Sequence, residues 1–345
     1  MKQVKSILSL LPGFALALCI AAVAKWLESL LPIHLIGASV IALFIGMLIN
    51  NFWKPTELMR KGLKFTSKKV LKFAIILLGA SLSIGTILQV GQMSLLVMCF
   101  TLLTCFGGGY FVGKALGLNW KLSNLISAGT GICGGSAIAA IAPVIDAEDS
   151  DIAYAMSATF LFDMAMIVLF PIMGRAMGLS DMAYGLWSGT AVNDTSSVVA
   201  AGYAFSEAAG DFATMVKLTR TLAIIPTVIV FALIEVNIKR KEARANGSGN
   251  QLHAKINFIS LFPWFIAGFL AVAVCNSVGL ISPAVSSAAK TASKFLMVAA
   301  LAAIGLNTSF KDMSKSGIRP MIHGFIISAL VVIVAIAVEY FMGIV

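Results

Sequence analysis

The stretch Ser127-Ala128-Gly129-Thr130-Gly131-Ile132-Cys133-Gly134-Gly135-Ser136-Ala137 sets four glycines within seven residues, with apolar sequence on both sides. Each glycine costs a helix interior about 1 kcal/mol relative to alanine. Inside a bilayer, irregular backbone is tolerated only where protein or a water-filled cavity surrounds it. Close helix packing through small residues accounts for one or two glycines. Four of them beside Thr130 and Ser136 read instead as a helix break that lines a site.

A second stretch of this kind follows: Ser188-Gly189-Thr190-Ala191-Val192-Asn193-Asp194-Thr195-Ser196-Ser197. It crowds hydrogen-bonding side chains into the middle of an apolar segment. An ionised Asp194 at that depth costs at least about 2.5 kcal/mol. It must therefore be paired, hydrated, protonated or bound to a cation.

The whole chain supports the membrane reading. Of its 345 residues 59% are hydrophobic and 12% charged, and the mean hydropathy is +0.96. Soluble domains carry about 25% charged residues, so this chain cannot cover a globular surface with charge. Apolar segments fall at 7–31, 34–50, 70–90, 94–112, 122–145, 151–174, 182–204, 212–236, 258–278, 292–310 and 320–344. A spanning helix needs about 20 such residues. The expected fold is thus an all-α polytopic membrane protein with about eleven transmembrane helices, ten without the first. Lys2 and Lys5 before the first segment resemble a signal peptide, but the long apolar run that follows reads as an uncleaved span.

Charge placement orients the map. With the N-terminus inside, alternate loops collect 20 of the 25 basic residues on the inner side, as the positive-inside rule requires. Asp146, Glu148, Asp149, Asp151, Glu207 and Asp211 fall outside, as does the C-terminus. The insert 237–257, with Lys239-Arg240-Lys241 and Asn246-Gly247-Ser248-Gly249-Asn250, reads as a flexible basic cytoplasmic loop within a single transmembrane domain, 1–345. Two internal repeats are visible. Gly129, Thr130, Ser136 and Ala140 recur as Gly189, Thr190, Ser196 and Ala200; Gly79, Ser83 and Gly91 recur as Gly305, Ser309 and Gly317. The second pair suits an inverted repeat, whereas the first pair lies on spans expected to run in the same direction.

Two further charges lie at membrane depth, Asp163 and Arg220, with Lys217 one turn before Arg220. An ion pair of Arg220 with Asp163 or Asp194 is one expectation; an anion contact by Lys217 and Arg220 is the other. The candidate substrate and ion ligands are Thr130, Cys133, Ser136, Asp163, Thr190, Asn193, Asp194, Thr195, Ser196, Lys217 and Arg220. A half-helix starting in mid-membrane favours an anion at its N-terminus, and a half-helix ending there favours a cation at its carbonyls. Glu339 is expected to reach the outer surface. The other cysteines (Cys19, Cys99, Cys105 and Cys275) have no metal-ligand spacing and read as packing residues. No protease or hydrolase motif is present, no cofactor fingerprint appears, and no nucleic-acid partner is implied.

On these motifs the chain resembles the YeiH-type family of bacterial inner-membrane proteins, to which sulfate export is ascribed. The likeness is carried by residues 129–140 and 189–202, and by Val216-Lys217-Leu218-Thr219-Arg220, Leu261-Phe262-Pro263-Trp264-Phe265 and Ile304-Gly305-Leu306-Asn307-Thr308. It implies a fold similar to the bile-acid/arsenite/riboflavin group of secondary transporters, in which two broken helices cross near mid-membrane. The family pattern has His before the aspartate and Gln three residues after it; Asn193 and Ser197 stand there instead. The resulting expectation is an ion-coupled secondary transporter exporting a small anion such as sulfate or a sulfonate, with H⁺ or Na⁺ at Asp163 and Asp194. A cation/proton antiporter with a structural Arg220 is the main alternative, and a channel a lesser one. Homo-oligomerisation is left open.

Overall fold

The computed structural model describes residues 10–30, 38–245, 264–308 and 317–345. Lys2, Lys5, Lys311, Lys315, residues 246–257 of the basic loop and Leu261–Pro263 of the shared motif lie outside them, as do the side chains of Lys239, Arg240, Lys241 and Arg244. Among the described residues every regular element is helical. Six of the described helices are long and apolar enough to cross a bilayer, and Val40–Phe52 and Trp264–Ser277 are shorter apolar ones.

The helices form two bundles. In the first, Leu11–Leu30, Ala38–Phe52, residues 57–81, Trp264–Ser277 and Pro283–Asn307 pack together. Here small residues let backbones touch. A Cβ on Gly46 would stand 2.5 Å from the Ala302 carbonyl, and one on Gly305 would overlap that of Leu43. The second bundle holds Ile84–Ala115, the two motif segments, Asp149–Ala176, 207–245 and Ile318–Phe341.

The turn between the third and fourth helices lies at Leu82–Ser83, not near Gly91 as the hydropathy map places it. Ser83 caps the new helix by accepting from the Thr86 N–H, so a serine, not a glycine, ends the run. The helix start at Glu57 recurs at Pro283, and the end at Ala115 recurs at Phe341, each 226 residues later. That is the offset of the second sequence repeat.

Two of the expected spans, 122–145 and 182–204, do not run through. Trp120–Ala128 continues as a π-helical turn, Gly129–Cys133, and stops at Gly134 (φ 63°, ψ −134°). The chain then turns back as Gly135–Ile141. Its two ends meet: Asn119 Nδ2 donates to Asp151 Oδ1 at 3.1 Å and Lys121 Nζ to the Asp146 carbonyl at 2.7 Å. Asp181–Ala191 and Thr195–Phe205 form the second hairpin. Its ends are joined by Ser206 Oγ donating to Asp181 Oδ1 at 2.6 Å, and Tyr184 OH donates to the Ala201 carbonyl at 2.9 Å.

The 28-residue helix Asp149–Ala176, about 42 Å long, measures the arrangement. Its start lies beside the first hairpin's ends. Near its other end, Arg175 Nη2 donates to the Ala204 carbonyl of the second hairpin at 2.8 Å. The hairpins therefore enter from opposite ends and meet at Asp163, halfway along. The 60-residue repeat is an inverted one, and the conflict of direction in the sequence map disappears. Arg175 and the acidic run 146–151 consequently exchange sides relative to that map.

Glu339 does not reach the surface. Ile327, Val331, Ala335 and Glu339 repeat every fourth residue on one face of Ile318–Phe341 and are all fully buried, so helical geometry carries the carboxylate inward. Cys19 and Cys99 lie exposed, whereas Cys105 packs inside.

Candidate functional site

The site begins with unsatisfied backbone. Breaking a helix in mid-bundle leaves carbonyls without partners on one half and N–H groups without partners on the other. Cations from Glu207–Thr221 meet the carbonyls. Arg220 donates through Nε to Gly131 O at 2.6 Å, through Nη2 to Thr130 O at 2.5 Å and through Nη1 to Val192 O at 3.1 Å. Lys217 Nζ donates to Ile132 O at 2.8 Å and to Val192 O at 3.0 Å. Both side chains are fully buried. One helix thus clamps the carbonyl ends of both hairpins, where the helix dipole is negative.

Asp163 serves the N–H side. Its Oδ1 accepts from the Asn193 N–H at 2.9 Å and its Oδ2 from the Asp194 N–H at 2.8 Å. Asp194 caps the returning helix Thr195–Phe205: its Oδ2 accepts from the Ser196 N–H at 2.9 Å and also from the Ser196 hydroxyl. The ion pair expected between Arg220 and a carboxylate is not formed; carbonyl oxygens take its place because the broken helices supply several of them within reach.

The tips touch. Gly134 of the first hairpin lies directly against Asp194 of the second. Beside them a cavity of 1550 Å³ runs between the two bundles. Cys133, Gly134, Ser136, Asp163, Asp194, Thr195 and Ser196 line its inner end, and Lys68, Lys69 and Lys72 line the side formed by helix 57–81. Asp194 and Thr195 are half-buried and Ser136 is exposed within it.

Most of the residues singled out in the sequence therefore converge. Five of them do not reach the cavity: Lys217 and Arg220 stand behind the tips, Thr130 and Asn193 are fully buried, and Thr190 bonds back to Leu186 O at 2.7 Å inside its own helix. The lysines at 68, 69 and 72 were legible only as loop charges, because the apolar run begins at Val70 whereas the helix begins at Glu57.

Ion pairs close the opposite end. Lys290 of Pro283–Asn307 meets Asp211 at 2.7 Å, and Lys294 meets Glu207 at 2.6 Å. Tyr203 OH also donates to Asp211 at 2.6 Å. These contacts join the first bundle to the second on the side where the second hairpin enters.

Residues 12–324 match the family described as conserved hypothetical protein 698. A UPF0324 membrane protein of Clostridium tetani is 55% identical over 334 residues, covering 96% of this chain and 97% of the relative. Similar proteins of Streptococcus pyogenes serotype M6 and Streptococcus mutans are 38% and 37% identical over 341 residues each, covering 97% of this chain and 98% of each relative.

Proposed function

The chain belongs to the conserved hypothetical protein 698 family of UPF0324 membrane proteins, and from that premise we propose that it is an ion-coupled secondary transporter exporting a small anion across the bacterial plasma membrane. One observation carries the reading. All four charged side chains at the hairpin tips hold backbone groups of the break: Asp163 and Asp194 take N–H groups, Lys217 and Arg220 carbonyls. Asp194 alone is a half-exposed charge on the cavity wall. Its carboxylate is the one within reach of an incoming cation as the site is filled.

The anion contact falls to other residues than Lys217 and Arg220. Lys68, Lys69 and Lys72 raise the local concentration of anions at the cavity mouth, and the hydroxyls of Ser136, Thr195 and Ser196 replace hydration deeper in. Opposed hairpins with a shared tip provide one site reachable from either side. Access alternates when the bundle holding the hairpins moves against the other. With the N-terminus inside, the cavity opens to the cytoplasm and the ion pairs of Lys290 and Lys294 close the outer side.

Reconstituted protein tests this directly. Sulfate or small sulfonate flux into liposomes should depend on an H⁺ or Na⁺ gradient, and Asp194→Asn should abolish that dependence. Flux unchanged by Asp194→Asn would mean a channel. A cation/proton antiporter is the second reading, favoured because carbonyls occupy Lys217 and Arg220 and leave carboxylates as the deepest charges on the cavity wall. Cation-driven proton movement in vesicles free of any transportable anion would decide for it.

A further inference from the structure

The charged groups at the tips have close partners; the neutral ones beside them have only distant ones. Several buried hydroxyls elsewhere in this bundle bond to their own helix, and Ser123 reaches the Gly109 carbonyl of the neighbouring one at 2.9 Å. Ser127 donates to Ser123 O at 2.9 Å, Thr214 to Gly210 O at 2.7 Å and Thr221 to Lys217 O at 2.9 Å. Thr130 and Ser328 make no such bond. Thr130 Oγ1 meets only Ser328 Oγ, at 3.5 Å, and Ser328 Oγ adds only Asn193 Nδ2, at 3.4 Å. The same Nδ2 stands 3.4 Å from Thr159 O. Asn193 Oδ1 has no partner although the side chain is fully buried. Hydroxyl hydrogen bonds normally measure about 2.5–3.0 Å, and buried polar atoms are almost always paired.

This cluster draws on both hairpins, the long helix Asp149–Ala176 and Ile318–Phe341. Its spacing is informative. Oxygens held about 2.3–2.6 Å from a hard cation, at near right angles to one another, stand roughly 3.3–3.7 Å apart. A half-turn of the Asn193 amide exchanges its oxygen and nitrogen and turns Oδ1 toward Ser328 and Thr159. We propose that Thr130 Oγ1, Ser328 Oγ, Asn193 Oδ1 and the Thr159 carbonyl bind a sodium ion where the hairpins meet. A ligand set without formal charge suits a monovalent ion. Asp163 and Asp194 already offset Lys217 and Arg220, so the ion adds one positive charge beside the cavity, and an anion there balances it. The site's role in coupling rests on the transporter reading; its occupation by sodium does not.

Thermal unfolding of the purified protein in detergent tests the site, with NaCl, KCl and choline chloride compared at equal ionic strength. Sodium should raise the midpoint saturably and potassium and choline should not. Ser328→Ala and Thr130→Val should each lose that rise while keeping the wild-type midpoint in choline. Direct ²²Na⁺ binding to the wild-type protein provides a readout that depends on no variant folding. Equal midpoints in all three salts with no ²²Na⁺ bound, or a sodium rise that survives both substitutions, would overturn the proposal. Proton-driven anion flux without sodium binding sinks this site and leaves the transporter reading standing. Sodium binding without any flux does the reverse.

Discussion

Gly134 and Asp194 are in contact across the two hairpin tips: a Cβ on Gly134 would stand 2.9 Å from both the Cβ and Oδ1 of Asp194. Gly134 also holds φ 63° and ψ −134°, a conformation that L side chains rarely adopt. Gly134→Ala should therefore cost about 2–5 kcal/mol through strain and overlap together. Thermal unfolding of the detergent-purified variant checks the loss. A wild-type midpoint would mean that the tips do not meet as described.

The two carboxylates should separate in their effects. Asparagine is as good a helix cap as aspartate, so Asp194→Asn should leave stability within about 0.5 kcal/mol of wild type while ion-coupled flux disappears. Asp163→Asn is different, because an amide has one acceptor oxygen for two N–H groups. It should destabilise by about 1–3 kcal/mol, the cost of one unsatisfied buried donor. Measuring midpoint and flux on both variants tests the contrast.

Arg220→Met should strand carbonyls at Thr130 and Gly131 and cost about 3 kcal/mol or more. Arg220→Lys should recover only part of this, since a single ammonium cannot follow a fork of three donors spread over two hairpins. A full recovery of the unfolding midpoint by lysine would count against the clamp.

The ion pairs of Lys290 and Lys294 should set the balance between access states more than the stability of the fold. Each pair has one largely buried and one solvent-reached partner, with Lys290 34% and Glu207 77% exposed. That holds each contribution near that of surface pairs, about 0–1 kcal/mol, yet 1.4 kcal/mol between two states is about a tenfold change in population. Lys290→Gln with Lys294→Gln should leave the unfolding midpoint nearly unchanged. It should, however, speed labelling of Ser136→Cys, in a background without the native cysteines, by an impermeant thiol reagent added from outside. Unaltered labelling would remove these pairs from the gating scheme.

Replacing Lys68, Lys69 and Lys72 together by Gln should slow anion flux at low ionic strength and matter much less near 1 M salt, where screening lengths fall to about 3 Å. A deficit that persists at high salt would argue for direct coordination rather than steering.

The breaks were readable because glycine and Asp194 report on the backbone itself. The reversal at each break was not. A hydropathy window cannot tell one full span from two half-helices, and Leu125, Ile126, Ile138 and Ile141 are equally apolar in either case. Nor could charge placement help. Two successive hairpins each return the chain to its own side, so the errors cancel after Phe205, and among the basic residues only Arg175 changes sides. The positions of Lys217 and Arg220 were visible but their partners were not, because a carbonyl oxygen has no signature in the sequence. Ser328 was missed altogether: one serine in an apolar span carries no signal until Asn193 and Thr130 are placed beside it.

The two hairpins also impose an order on biogenesis. Gly135–Ile141 has seven residues and reaches about 10 Å, a third of the hydrocarbon thickness, so the translocation machinery cannot treat it as an ordinary span. The groups that satisfy the first hairpin arrive late, since Arg220 follows Thr130 by 90 residues. Until then the nascent glycine-rich segment has no acceptable place among the lipids. It can settle into position only once Glu207–Thr221 is in place. Final assembly is thus a post-insertional docking step, and the basic side chains that complete the core also admit its last piece.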